Sequence, residues 1–126
     1  MPKARRFSTP VLAQLDAGKI LGIRAGVAPH RFLGVWMVVV NARLYVRSWN
    51  DKPTGWHRAF AADPRGAIQI GTRTIQIRAR HVRGARLMLA IDRAYAVKYP
   101  TPGSRKYVRG LASPRRRKTT MELSLR

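Results

Sequence analysis

The stretch Val35–Trp49, VWMVVV-NA-RLYVRSW, decides the fold. Its first six residues are apolar at every position and rich in Val, a composition that suits a strand covered on both faces. Val35–Val40 is therefore expected to be a buried, central strand. Asn41-Ala42 follows as a two-residue turn, the length that joins antiparallel strands, although Gly in the second place would suit such a turn better. Arg43–Trp49 then alternates: Leu44 and Val46 share one face, and Arg43, Tyr45 and Arg47 share the other. The two runs make a hairpin.

Downstream, Asn50–Gly55 is a polar loop, and Trp56–Ala62 reads as a helix stopped by Asp63-Pro64. A second hairpin is expected from Ala67–Ile70 and Thr74–Val82 around Gly71-Thr72. In its longer strand Ile75, Ile77 and Ala79 oppose Thr74, Gln76, Arg78 and Arg80. Ala85–Tyr99 carries Leu87, Met88, Ile91, Tyr95 and Lys98 at helical spacing and ends before Pro100. Ser104–Ala112 reads as a short helix capped by Ser104, and Thr119–Leu125 as a last strand. Upstream, Pro10–Ala17 reads as a helix capped by Ser8 or Thr9, with Pro10 at its first position. Lys19–Ile23 follows as a short strand, and Arg24–Gly34 as a loop. Strands in the middle and helices near both ends predict an α+β chain with an antiparallel sheet or small barrel.

The 126 residues fit one domain, 1–126, with a basic arm at 1–8 and a basic loop at 113–118. No cysteine is present, which excludes disulfides and thiolate chemistry. The longest apolar run, Leu33–Val40, is far below the roughly 20 residues of a membrane-spanning helix. With no export signal read at its start, the chain is expected in the cytoplasm, off the membrane. Lys and Arg total 26 against 5 acidic residues, a net charge of +21. Two readings of this charge stay open. One is a polyanion partner, with nucleic acid contacted by Arg115, Arg116, Arg117 and Lys118 of the SPRRRK segment. The other is compositional bias, with 20 Arg to 6 Lys, and a solvated loop.

The five acids, Asp16, Asp51, Asp63, Asp92 and Glu122, form no pair at a catalytic spacing, so a glycosidase-type site is not expected. His30, His57 and His81 stand apart, and no metal site is expected. The richest segment is RLYVRSW-NDKPTG-WHR. A strand end bearing Arg47 and Ser48, next to a helix start bearing Trp56, His57 and Arg58, could offer guanidinium, hydroxyl and backbone N–H donors to a phosphate, with Trp56 walling an aromatic ring. The competing reading puts Trp36 and Trp56 in the core, with Arg47 lying across the sheet on its aliphatic stem. Trp36 is read as core; for Arg47, Ser48 and Arg58 both readings stand.

FSTPVLAQLDAGKI, LYVRSW, GWHRAFAADPRGAIQI, IDRAYAVKY and TTMELSL together resemble the uncharacterised bacterial family known as domain of unknown function 2255. More distantly, GWHRAFAADP between a hairpin and a strand is similar to the split β-barrel flavin and deazaflavin oxidoreductases. That second resemblance implies a small antiparallel split-β-barrel-like domain with flanking helices and about six strands. It also implies a homodimer, and FMN or a deazaflavin held by Arg47, Ser48, Trp56, His57 and Arg58. The chain departs from those enzymes at Ala59, where they carry Asn, and in AGVAPHRFLG, which lacks the Ser and Lys of their phosphate loop. A cofactor-free scaffold and a nucleic-acid-binding protein are the alternatives.

Overall fold

The computed structural model describes residues 5–126. Helix α1 (Thr9–Ala17) leads to strand β1 (Leu21–Ala25). Strands β2 (Leu33–Val35) and β3 (Met37–Val40) follow with only Trp36 between them, then β4 (Arg43–Val46), α2 (Trp56–Ala62), β5 (Arg65–Ile70) and β6 (Arg73–His81). Helices α3 (Ala85–Lys98), α4 (Arg105–Leu111) and α5 (Pro114–Arg117) come next, and β7 (Met121–Leu125) ends the chain. The strands form one antiparallel sheet in the order β2-β1-β5-β6-β7-β4-β3.

The expected central strand is not central. Leu33–Val40 supplies both terminal strands of the sheet: β2 pairs with β1 at one end and β3 with β4 at the other. The chain passes from one end to the other at Trp36, which curls the sheet into a nearly closed barrel and leaves little open edge. The break has a tertiary cause. The Met37 N–H donates to the Tyr99 hydroxyl at 3.2 Å, and that hydroxyl donates to Lys19 O at 2.8 Å. The Trp36 ring stacks on Tyr99 with centroids 4.0 Å apart. Burial pushes the Tyr99 hydroxyl up to about 12, so it stays a donor.

Cover on both faces is present. Met37 points into the barrel with Leu21, Ile23, Leu44, Ile68 and Ile77, all but sealed from solvent. Val11 and Leu15 of α1 join that cluster. Val38 and Tyr45 face outward and pack under Met88, Ile91 and Tyr95 of α3, Tyr99 just after it and Leu111 of α4. Each such aliphatic side chain contributes roughly 1.5–3 kcal/mol by leaving water.

The Asn41-Ala42 turn is present, with φ of +52° and +62°. Neither Ser8 nor Ser104 caps its helix through its side chain; the Ser104 hydroxyl instead accepts from Thr101 Oγ1 at 2.8 Å. The loop expected at 24–34 is shorter, because β1 runs on to Ala25 and β2 begins at Leu33. Of the basic arm, residues 1–4 lie outside the described residues. Arg5 accepts from Leu125 N–H at 3.0 Å, and Phe7 is buried in the barrel cluster. The basic segment 113–118 is not a loop: it holds α5. Among the described residues, no helix is long and apolar enough to cross a membrane.

Candidate functional site

The barrel closure opens a cleft of about 540 Å³. Its walls are rings: Trp36 at the crossing, Trp49 after β4, Trp56 at the start of α2 and Tyr107 of α4. Tyr107 meets Trp49 edge-on at 5.2 Å and Trp36 at 6.2 Å. Trp36, expected in the core, is a half-buried cleft wall, because Tyr99 occupies the space behind it.

Trp49 is fixed from two sides. Arg116 lies over its ring at 3.7 Å, and Arg116 Nε donates to Trp49 O at 3.0 Å. The ring also rests against Gly110 of α4, where a Cβ would lie 2.5 Å from it. Only glycine leaves room for the indole there. Arg116, read from the sequence as a candidate nucleic-acid contact, therefore clamps the cleft. Its neighbour Arg117 pairs with Asp92, while Arg115 and Lys118 are exposed and make no ion pair among the described residues.

Arg47 and Ser48 line the cleft, but their donors are in use. The Arg47 guanidinium is fully buried. Nε donates to Thr120 Oγ1 at 2.8 Å, and Nη1 donates to Asp92 Oδ1 at 2.5 Å and to Leu111 O at 3.0 Å. The second oxygen of Asp92 accepts from Arg117. The Ser48 N–H donates to Thr119 Oγ1 at 2.9 Å and its hydroxyl to Asn50 O at 3.0 Å. Trp56 is at the cleft; His57 and Arg58 are not among its lining residues. The cleft's available cation is Lys52, which makes no ion pair among the described residues.

The family described as "Uncharacterized protein conserved in bacteria (DUF2255)" matches residues 12–123. The chain belongs to this family. Among solved structures, this DUF2255 protein is similar to a conserved hypothetical protein of Mycobacterium tuberculosis, at 10% identity and a TM-score of 0.63, over 100% of this chain and 83% of that one. It is similar to a FAD-binding protein from Mesorhizobium loti, at 17% identity and a TM-score of 0.58, over 98% and 91%. A putative pyridoxamine 5′-phosphate oxidase from Listeria innocua matches at 14% identity and a TM-score of 0.57, over 90% and 87%. These likenesses show the split-barrel fold. No protein of curated function matches the chain.

A second group of residues in the DUF2255 protein lies outside the cleft. His57 Nδ1 is 2.7 Å from Asp51 Oδ1, and His57 Nε2 is 2.7 Å from His81 Nε2. Two of the three histidines that stand apart in the sequence thus meet. Arg58 grips Asp51 at 3.0 and 3.1 Å. Hydrogen bonds from Arg58, then from His57, hold the Asp51 carboxyl down at about 2. Partial burial, then His57 and Arg83, push His81 below its usual range. No group of three or more metal-ligating side chains occurs among the described residues.

Sequence reasoning missed Lys52, Tyr107, Asp92 and the His57–His81 pair. One signal was available. Asp92 lies four residues after Met88, beside the apolar stripe of α3, and a carboxylate there calls for a buried cation.

Proposed function

We propose that the chain binds a flavin-type cofactor, FMN or a deazaflavin, in the aromatic cleft. The observation that carries this reading is the cleft itself: four rings around about 540 Å³, inside the span of roughly 300–1,000 Å³ typical of cofactor pockets. Flat, apolar walls suit a planar ring system, and a polar edge at Ser48, Asn50 and Lys52 suits its phosphate-bearing tail. The donor set fits with one change from the sequence reading. Lys52 is the cation offered to phosphate, while Arg47 braces the cleft floor through Asp92. The FAD-binding and pyridoxamine-phosphate-oxidase-like relatives in fold support the same direction.

A bound flavin would supply hydride transfer. The chain's own part is to bind and orient: Trp36, Trp49 and Trp56 wall the ring, Arg116 and Gly110 set the position of Trp49, and Lys52 pairs with phosphate. Exposed Ile20, Leu33, Trp49 and Tyr107 lie among the cleft's lining residues, which supports a homodimer whose second copy covers it.

Titration of the full chain with FMN, riboflavin and a phosphorylated deazaflavin, read by fluorescence quenching, tests this. FMN should bind more tightly than riboflavin, Lys52→Ala should erase that difference, and Trp49→Ala should weaken both about tenfold or more. No binding of any of the three would remove the flavin reading. A monomeric mass by light scattering would remove the dimer alone.

A further inference from the structure

A second cavity, of about 570 Å³, lies between the end of β6 and the start of α3. The ion-pair chain Arg47–Asp92–Arg117 links it to the aromatic cleft: Arg47 lines one and Arg117 the other. The second cavity is lined by His81, Arg83, Arg117 and Lys118, with no carboxylate among its lining residues. Arg83 and Lys118 make no ion pair among the described residues, and the buried Arg117 Nε has no hydrogen-bond partner. Arg83 and Lys118 bring no counter-charge, and Arg117 shares the single carboxylate of Asp92 with Arg47, so the positive charges lining the cavity repel one another. An anion in the cavity relieves that repulsion.

His81 adds a proton to this arrangement. Asp51 is an acceptor, so His57 donates Nδ1–H to it. One of the two facing Nε2 atoms has to carry the hydrogen across the 2.7 Å contact; with His57 neutral its bare Nε2 accepts, and His81 donates its own Nε2–H. That tautomer leaves His81 Nδ1 as a lone pair, and no described residue hydrogen-bonds to it. A proton taken up there makes His81 a fourth cation lining the cavity.

We propose that this cavity binds a phosphate- or sulfate-type dianion, and that His81 takes up a proton as the anion binds. The groups around His81 set the sign. His57 faces it from α2, with Asp51 and Arg58 behind. Arg83 lies on the connection to α3, Arg117 on α5 and Lys118 just after it. On β7, Met121 sits opposite in register, and the adjacent Glu122 is neutralised by Arg43 and Arg80. Partial burial, then the neighbouring cations, outweigh Asp51 and hold the proton off in the free protein; a dianion offsets the cations and tips the balance towards protonation.

Sulfate is the probe, because its charge does not change where imidazole titrates. Calorimetric titration of the full chain should show one site, bound roughly tenfold more tightly near pH 5.5 than near pH 8, an ordinary scale for coupling between two bound species. By reciprocity, saturating sulfate should raise the His81 pKa by about one unit in an NMR titration. His81→Gln should bind sulfate equally at both pH values. The surface double variant Arg83→Ala/Lys118→Ala should lose about tenfold or more at each. Several weak sites, a pH dependence that survives His81→Gln, or full affinity in the double variant would each overturn the proposal. The site does not rest on the flavin reading: Trp49→Ala should leave sulfate binding untouched.

Discussion

Arginine behaves in opposite ways in the two cavities. Facing the aromatic cleft, Arg47 is sealed from solvent and spends its donors on Asp92, Thr120 and Leu111. In the basic cavity, Arg83 is exposed with no ion-pair partner among the described residues, and Arg117 is only half engaged. The difference lies in the supply of carboxylates. Six arginines, at 43, 47, 58, 65, 80 and 117, take up Asp51, Asp63, Asp92 and Glu122. An arginine that reaches a buried carboxylate becomes a strut; one that does not remains a charge open to an outside anion. A net charge of +21 therefore does not identify the cations that bind a ligand.

The sharpest way to break this contrast is to remove one arginine from each side. Arg47→Met should cost about 3–5 kcal/mol in urea unfolding, because it leaves Asp92 Oδ1 and the buried acceptors Thr120 Oγ1 and Leu111 O without their donor, with only Arg117 still on the carboxylate. Arg83→Ala should stay within about 0.5 kcal/mol, as expected of a surface change. A neutral Arg47→Met would show that the network does not brace the cleft. The cost should shrink in Arg47→Met/Asp92→Leu, since no half-partnered carboxylate is then left buried.

Gly110→Ala probes the cleft alone. The added methyl must displace Trp49 and should cost about 1–3 kcal/mol, with a changed tryptophan emission and weaker FMN binding. Sulfate affinity should be unchanged; a loss there would mean that the two cavities are coupled.

Ala42→Gly gives a reference remote from both. Ala42 sits at φ +62°, a conformation that costs a residue with a Cβ about 1 kcal/mol. Glycine there should raise stability by up to about that amount, measured by thermal unfolding, without altering either ligand's affinity.

The smallest effect belongs to the histidine pair. The His81 pKa is lowered from 6.5 in the folded protein, so between those values the unfolded chain binds more protons. Stability should therefore be full above neutral pH and decline as pH falls from about 7 through the folded value. His81→Gln should flatten that slope, and saturating sulfate should oppose it. Asp51 acts lower: its contribution is lost as pH falls from 3.8 to about 2, and solvent screening keeps it small.

What local period and turn chemistry control can be read from the amino-acid order alone. These are the Asn41-Ala42 hairpin, the bounds of α2 between Gly55 and Asp63-Pro64, the alternation of β6 and the stripe of α3. Each is written within one element, where side chains two, three or four residues apart share a face. The tertiary structure decided the rest. Leu33–Val40 became two strands because Tyr99, 62 residues beyond Met37, takes its N–H. Arg47 became a strut because Asp92, Leu111 and Thr120 come back to it from 45, 64 and 73 residues away. His57 and His81 met because α2 packs against β6. No period in the chain encodes those distances; they are fixed only when the barrel closes and burial forces each polar group to find its partner.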